Sequence, residues 1–566
     1  MIRLQFFLGA LLLVAAGARL RAAEEAAVAL PPFIVEELAK GPPWRYGQAM
    51  GFEILSRCND SATRRVVEAH HRLHELLAEI LPARLRLQCS TAPTLILYDE
   101  ELQPASSREV ISRMLKKSTT TVDLPTLPGL GRGWRSAPTP SYRFLPNLRL
   151  WDRDAMAVFM IVRRDDFDAS RLSLTHDYVN FMIRGRLPTL PLWFATGLLT
   201  LYQKISYEDD RLTIEPLAWP ALVPSDPAKI DPAAPPLVGP LPELFQPTAA
   251  ALEKTILPGE SAAKVWQAHT ALFVRWGLEA DGRAHREAFW KFVERSAATG
   301  TNERLFVECF GFDYAAARTR LNLYLPIAVK KPAVFRLPKP PQLPPYALTN
   351  ASDGQIARIK GDWERMEVPY VRSISSELAP KYLELARRTL RRAYDRDHRE
   401  PALLAVMGLC EVDAGEDLAA RDYLEAAARL GPIRPRANYE LARLRLAAWR
   451  AAPAAAELTV TQAAEILTPL FAAREEAPPL PEVYELIGEV WAHCTARPTL
   501  GHLAVLDEGV RLFPRRIQLV GRAADLHLRH GSRAAAAALV ELGQRLAEDE
   551  PSRLRFAELQ RQLEKK

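Results

Sequence analysis

The spacing of apolar positions opens with a β-α-β pattern. Phe52 to Cys58 reads as a short strand, and Thr94 to Tyr98 as a second. Between them, Ser61 to Leu81 carries Val66, Val67, Leu73, Leu76, Leu77 and Ile80 at helical spacing. Ser118 to Asn147 is rich in Pro, Gly, Ser and Thr and predicts a long surface excursion. Ala157 to Val162 predicts another strand. Leu172 to Arg184 and Leu192 to Gln203 predict helices separated by Pro188 and Pro191. Ile205 to Ile214 reads as a hairpin turning at Asp209 and Asp210, and Pro220 to Pro247 as Pro-rich loop. Ala262 to Ile327 is helical in pattern and contains the phrase Phe310-Gly311-Phe312-Asp313.

Pro326 to Pro345 holds seven prolines. Such a stretch predicts an extended, semi-rigid spacer, and the main domain boundary falls here, with a linker over 328–347. From 348 to 566 the pattern is helical and repeats. Leu404, Met407, Gly408, Ala420, Leu424, Ala427 and Pro432 match the tetratricopeptide (TPR) spacing. The small residues Gly408, Ala420 and Ala427 let two antiparallel helices approach, and Pro432 stops the second. Ala386, Leu390 and Ala393 repeat the second-helix signature upstream. Leu441-Ala442, Ile487-Gly488 and Val520-Gly521 repeat the first-helix signature downstream. Four or five hairpins sharing a core between neighbours are expected.

A chain of 566 residues is too long for one core. With 48% apolar and 25% charged residues its composition is ordinary for a globular protein. The 74 basic residues exceed the 68 acidic ones only slightly, and no basic stripe is interleaved with aromatics, so nucleic acid is not an expected partner. The N-terminus changes the picture more. Arg3, then the apolar run Leu4 to Ala16, then small residues at Ala16, Gly17, Ala18, Ala22 and Ala23 predict a signal peptide over 1–22. The mature chain is therefore expected to be exported, to the periplasm or outside the cell. No cysteine follows closely enough for a lipid anchor, and no later segment is apolar enough to cross a bilayer. The five cysteines form no CxxC pair. Cys58 and Cys89 both lie beside predicted strands, which leaves a disulfide and two separate buried thiols equally open.

The chemistry-bearing segment is Leu174-Thr175-His176-Asp177-Tyr178-Val179-Asn180, followed by Pro191-Leu192-Trp193-Phe194-Ala195-Thr196-Gly197-Leu198. Together these resemble the gluzincin metallopeptidases, in particular their peptidase MA-like domains. The resemblance covers roughly residues 50–327 and is assigned to a domain over 45–327. It implies an α+β fold with an H-E-x-x-H helix, then a helix opening P-x-W-L-x-E-G. In that family two His and a Glu hold zinc, and the Glu beside the first His serves as base. Position by position, His176 matches the first His, and Asp177 stands where the base belongs. Asn180 replaces the second His, and Thr196 replaces the ligand Glu. An amide and a hydroxyl are poor donors to zinc, and Asp177 is one methylene short of the expected base. The resemblance thus implies a fold that has lost its zinc, and no cofactor is expected. His70 and His74 have i,i+4 spacing on the first helix but read as an outward pair. His269, His285 and His398 are isolated, and there is no phosphate loop or nucleophile elbow.

The expected fold class is an α+β gluzincin-like domain followed by an all-α TPR-like array. The expected function is a non-catalytic exported binding or scaffold protein, a pseudo-metallopeptidase that takes a protein or peptide through its C-terminal repeats, as in envelope assembly. The alternative is a metal-dependent hydrolase with a remodelled site around His176 and Asp177.

Overall fold

The computed structural model describes residues 28–30, 42–85, 89–99, 142–144, 147–162, 179–180, 182–183, 189–208, 211–220, 237–246, 262–336, 343–451 and 457–565. The predicted signal peptide, His176 and Asp177, most of the predicted excursion and the 209–210 turn lie outside them.

The strands are β1 (Val28–Leu30), β2 (Arg45–Ala49), β3 (Phe52–Ser56), β4 (Thr94–Asp99), β5 (Tyr142–Phe144), β6 (Asn147–Asp152), β7 (Ala155–Val162), β8 (Ile205–Glu208), β9 (Arg211–Ile214), β10 (Ala333–Arg336) and β11 (Thr349–Asn350). Six of them form the main sheet in the order β11-β2-β3-β4-β7-β6, with β3, β4 and β7 parallel and the outer pairings antiparallel. β1 pairs with β5, and β8, β9 and β10 make a separate antiparallel sheet.

Side chains alternate between the two faces of a strand, and both faces of this sheet are buried. Ile54, Leu95, Leu97, Val158 and Met160 face one core with Val66 and Val67 of α1 (Asp60–Ile80). The same core takes in α2 (Leu192–Tyr202), α3 (Leu241–Phe245), α4 (Ala262–Arg283, broken at Ala280 to Gly282), α5 (Arg286–Thr299), α6 (Glu303–Phe310) and α7 (Tyr314–Ala328). Leu55, Ile96, Tyr98, Ala157 and Phe159 face the other way. They meet Ile359, Trp363 and Met366 of α8 (Asp353–Ile374).

The helical array continues through α9 (Ala379–Asp395), α10 (Pro401–Ala414), α11 (Asp417–Leu430), α12 (Pro435–Arg450), α13 (Val460–Arg474), α14 (Pro481–His493), α15 (Leu500–Leu512), α16 (Ile517–His530), α17 (Arg533–Leu546) and α18 (Glu550–Lys565). Five pairs run from α8/α9 to α16/α17, with α18 packed on the last. Successive first helices, α8, α10, α12, α14, α16 and α18, also touch one another, whereas second helices pack chiefly against their own first helix and the first helix of the next pair. The more closely spaced row makes the first-helix side the inner, concave side of the array.

The expected spacer and boundary need correcting. Within 328–347, Ala333–Arg336 pairs with β9, and Leu343 and Tyr346 pack against the first core. Just beyond, Thr349–Asn350 closes the main sheet against β2. The first helix of the array is therefore also the outer layer of the sheet. Proline content signalled an extended backbone, and extended backbone also serves as an edge strand. A second correction concerns His70, expected to point outward: it is buried, edge-on to Phe52, with Nδ1 3.1 Å from the Val66 carbonyl. Desolvation pushes its pKa down to about 3. All five cysteines are free thiols, with burial raising Cys58 and Cys89 to about 12.

Candidate functional site

The peptidase-like phrase is a packing device. Trp193 is buried among Phe245, Phe273 and Phe292, with ring centroids 5.2–5.7 Å away. Its indole N–H donates to the Thr301 hydroxyl at 3.3 Å. Gly197 lets α2 lie directly on α4: a Cβ there would stand 2.5 Å from the Thr270 carbonyl oxygen. Thr196 is half-buried on α2, and its carbonyl accepts from the Thr200 hydroxyl at 2.9 Å. Asn180 is helical and half-buried, and its Oδ1 is inaccessible and accepts no hydrogen bond among the described residues. These two positions offer an amide oxygen and a hydroxyl, a donor set that does not fit zinc. Among the described residues, no group of three or more His, Cys, Asp or Glu is placed to share a metal.

In the array, Gly408 sits where α10 and α11 come closest. A Cβ there would lie 2.6 Å from Leu424 Cγ and 3.2 Å from the Ala420 carbonyl oxygen. Ala420, Leu424 and Ala427 are completely buried along that seam. α11 ends at Leu430, and exposed Pro432 lines an outer groove of about 550 Å³ with Ile433, Leu441 and Pro469. Pro469 lies inside α13 and cannot bond to the Glu465 carbonyl, which accepts instead from Arg445 at 2.7 Å.

The densest chemistry lies on the inner side, at a place the sequence did not mark. β6 and β7 are joined by the two-residue turn Arg153-Asp154, since Asp152 pairs with Ala155. Arg153 has φ 53°, a left-handed conformation that a two-residue hairpin demands and that Gly or Asn usually supplies. Partners on α12 hold it: its guanidinium lies 5.5 Å from the Tyr439 ring centre and 3.8 Å from Glu440. The flanking aspartates enter the inner side of the array. Asp154, fully buried, accepts from Arg434 Nε at 3.0 Å and from the Arg436 backbone N–H at 2.8 Å. Asp152 accepts from Arg434 at 2.7 Å and also pairs with Arg365 and Arg436. Arg365 and Arg436 share Asp413, each at 2.8 Å, and Arg434 reaches Asp362 at 2.9 Å.

Burial by itself raises the pKa of Asp152. The guanidinium groups of Arg365, Arg434 and Arg436 outweigh that and hold its carboxyl well below the usual carboxylate range. Conversely, burial works against the charge of Arg434, and Asp154, Asp362 and Asp152 more than restore it. A second contact lies further along: the Ser90 N–H donates to the Ala477 carbonyl at 2.7 Å, and the Ala477 N–H to the Ser90 hydroxyl at 2.8 Å. The sheet domain thus lies along the inner side from α8 to the loop before α14. Asp-Arg-Asp and Arg-Pro-Arg are common tripeptides, and nothing in the sequence joins two segments 280 residues apart.

No protein-family profile matches the chain, and no curated protein does. Among solved structures, the chain is similar to YrrB, a TPR protein with an unusual peptide-binding site, at 16% identity over 34% of this chain and 90% of that one, with a TM-score of 0.27. It is similar to TTC0263, a thermophilic TPR protein of Thermus thermophilus, at 17% identity over 35% of this chain and 98% of that one, with a TM-score of 0.24. MamA from Desulfovibrio magneticus RS-1 is similar at 19% identity over 34% of this chain and 95% of that one, with a TM-score of 0.23. Likeness this low says nothing about ligand or mechanism, and the array here is defined by its own packing.

Proposed function

We propose that this protein is a non-catalytic scaffold that binds a protein or peptide partner on the inner side of its helical array. The observation that carries the reading is the gripped Asp152–Asp154 turn: the inner side already holds a charged, irregular segment, and it does so with arginines from first helices. Beyond α12 the first helices offer further charged side chains. Arg522 bonds the Glu485 carbonyl and the Glu489 carboxylate, and Arg516 pairs with Glu485. We place the partner on α14, α16 and α18, beyond the part that the sheet domain occupies. In this reading the peptidase-like half is a degenerate scaffold that has lost zinc, and the protein works after export, in the envelope or outside the cell. The donor chemistry at Asn180 and Thr196 and the signal-like N-terminus support those parts.

The test uses the full mature chain. Affinity capture from an envelope extract should yield a defined partner that is lost in Arg516→Glu/Arg522→Glu and retained in an outer-groove variant, Arg429→Glu. Equal capture by both variants would refute inner-side binding. Elemental analysis showing one tightly held zinc per chain, lost on His176→Ala, would refute the degenerate site.

A further inference from the structure

Two glycines on successive first helices seat arginines that come from the next one. On α14 a Cβ at Gly488 would stand 3.0 Å from Arg522 Cδ, and on α16 a Cβ at Gly521 would stand 3.0 Å from Arg555 Cζ. Each arginine therefore lies across bare backbone of the preceding first helix, Arg522 reaching from α16 and Arg555 from α18. α14, α16 and α18 touch in turn, so the two guanidinium groups sit one repeat apart on the inner side.

The two differ in their partners. Arg522 donates to the Glu489 carboxylate at 3.0 Å and to the Glu485 carbonyl at 3.1 Å, and Glu489 is shared with Arg450. Glu482 and Glu485 are taken by Arg516, and Asp525 accepts from Arg529 Nε at 3.0 Å. Arg555 donates to the neutral Gln518 Oε1 at 2.9 Å, and no carboxylate stands within ion-pair distance of it among the described residues. Both arginines are half-buried. Burial disfavours their charge, and for Arg555 the neighbouring Arg522 adds to that, with Asp525 offsetting only part. A partly desolvated guanidinium beside a like charge gains from any carboxylate brought to it. The same array shows what its inner arginines hold: the Asp152–Asp154 turn puts two carboxylates on guanidinium groups of Arg365, Arg434 and Arg436.

We propose that the partner presents an acidic segment in extended form, with two carboxylates three residues apart on Arg522 and Arg555. The proposal rests on the inner-side reading above and adds the chemistry of the ligand. The spacing follows from the helices. Packed helices lie about 8–10 Å apart. A polyproline II stretch returns to the same side every third residue, after about 9 Å.

The test is titration calorimetry on the full mature chain with the peptide Ser-Ser-Glu-Ser-Ser-Glu-Ser-Ser, acetylated and amidated so that the two glutamates carry its only charges. Saturable one-site binding, weakened by added salt, is expected, with the glutamine version at least about tenfold weaker. Arg555→Gln should raise Kd by a similar factor while the melting temperature holds or rises, because Arg522 loses a like-charged neighbour. Gly521→Ala keeps every charge but moves the Arg555 guanidinium off its seat, and should weaken binding by a smaller factor. Arg553→Gln, exposed on the same helix and equal in net charge to Arg555→Gln, should bind as the wild type does. No binding of the acidic peptide, equal binding of the glutamine version, or equal losses in Arg553→Gln and Arg555→Gln would each overturn the proposal. If the captured envelope partner is still lost in Arg516→Glu/Arg522→Glu, such a result removes the acidic ligand and leaves inner-side binding standing. Peptide binding kept in Arg555→Gln but lost in Arg429→Glu would overturn both.

Discussion

Removing the Asp154 carboxylate should loosen the whole molecule, because that group ties the sheet to the array. It is completely buried and takes the Arg434 Nε at 3.0 Å and the Arg436 N–H at 2.8 Å. Breaking a buried ion pair from one side ordinarily costs about 3–5 kcal/mol. Here Arg434 keeps Asp152 at 2.7 Å and Asp362 at 2.9 Å, so its charge is not stranded. The Arg436 N–H loses its side-chain acceptor, and an unsatisfied buried donor costs about 1–3 kcal/mol. Asp154→Ala should therefore lose about 2–4 kcal/mol. Urea unfolding followed by circular dichroism measures the total, and hydrogen exchange at the start of α12 reads the local opening. In the Asp154→Ala background the Arg434 charge has fewer partners, so Arg434→Met should cost less there than in the wild type. A loss below about 1 kcal/mol, the ceiling for an exposed pair, together with simple additivity would show that the turn merely rests on the array.

Three further outcomes are expected. Gly408→Leu should lower stability by about 1–3 kcal/mol through overpacking against Leu424, and an unchanged urea midpoint would mean the helices slide apart freely. The lowered His70 pKa makes the folded state refuse a proton that the unfolded chain accepts. His70 should therefore contribute a fall in stability of about 1.4 kcal/mol per pH unit as pH drops from about 6.5 to about 3, and His70→Gln should make the measured slope shallower by about that amount. A fragment of residues 348–566 strips the sheet from Ile359, Trp363 and Met366, forfeiting about 5–9 kcal/mol of burial, and should self-associate; a monomeric fragment of full helicity on analytical ultracentrifugation would refute that.

Local periodicity was enough to place β3, α1, β4, β7, α2 and the hairpin β8–β9, because each carries a run of apolar residues at strand or helix spacing. It also located the contact at Gly408, since a repeat of small residues records how closely two neighbouring helices pack. The donor types at Asn180 and Thr196 are likewise fixed by residue identity alone. What the sequence could not show is everything that depends on which distant segments meet. β11 is two residues long and has no period, so only its pairing with β2 defines it. The apolar pattern of α8 fits a repeat helix equally well whether Trp363 faces another helix or a sheet. Asp152, Asp154, Arg365, Arg434 and Arg436 look like solvated surface charges until the fold withdraws water from them together. Periodicity reports a residue's own element, whereas burial of a charge depends on the partners that long-range packing brings to it.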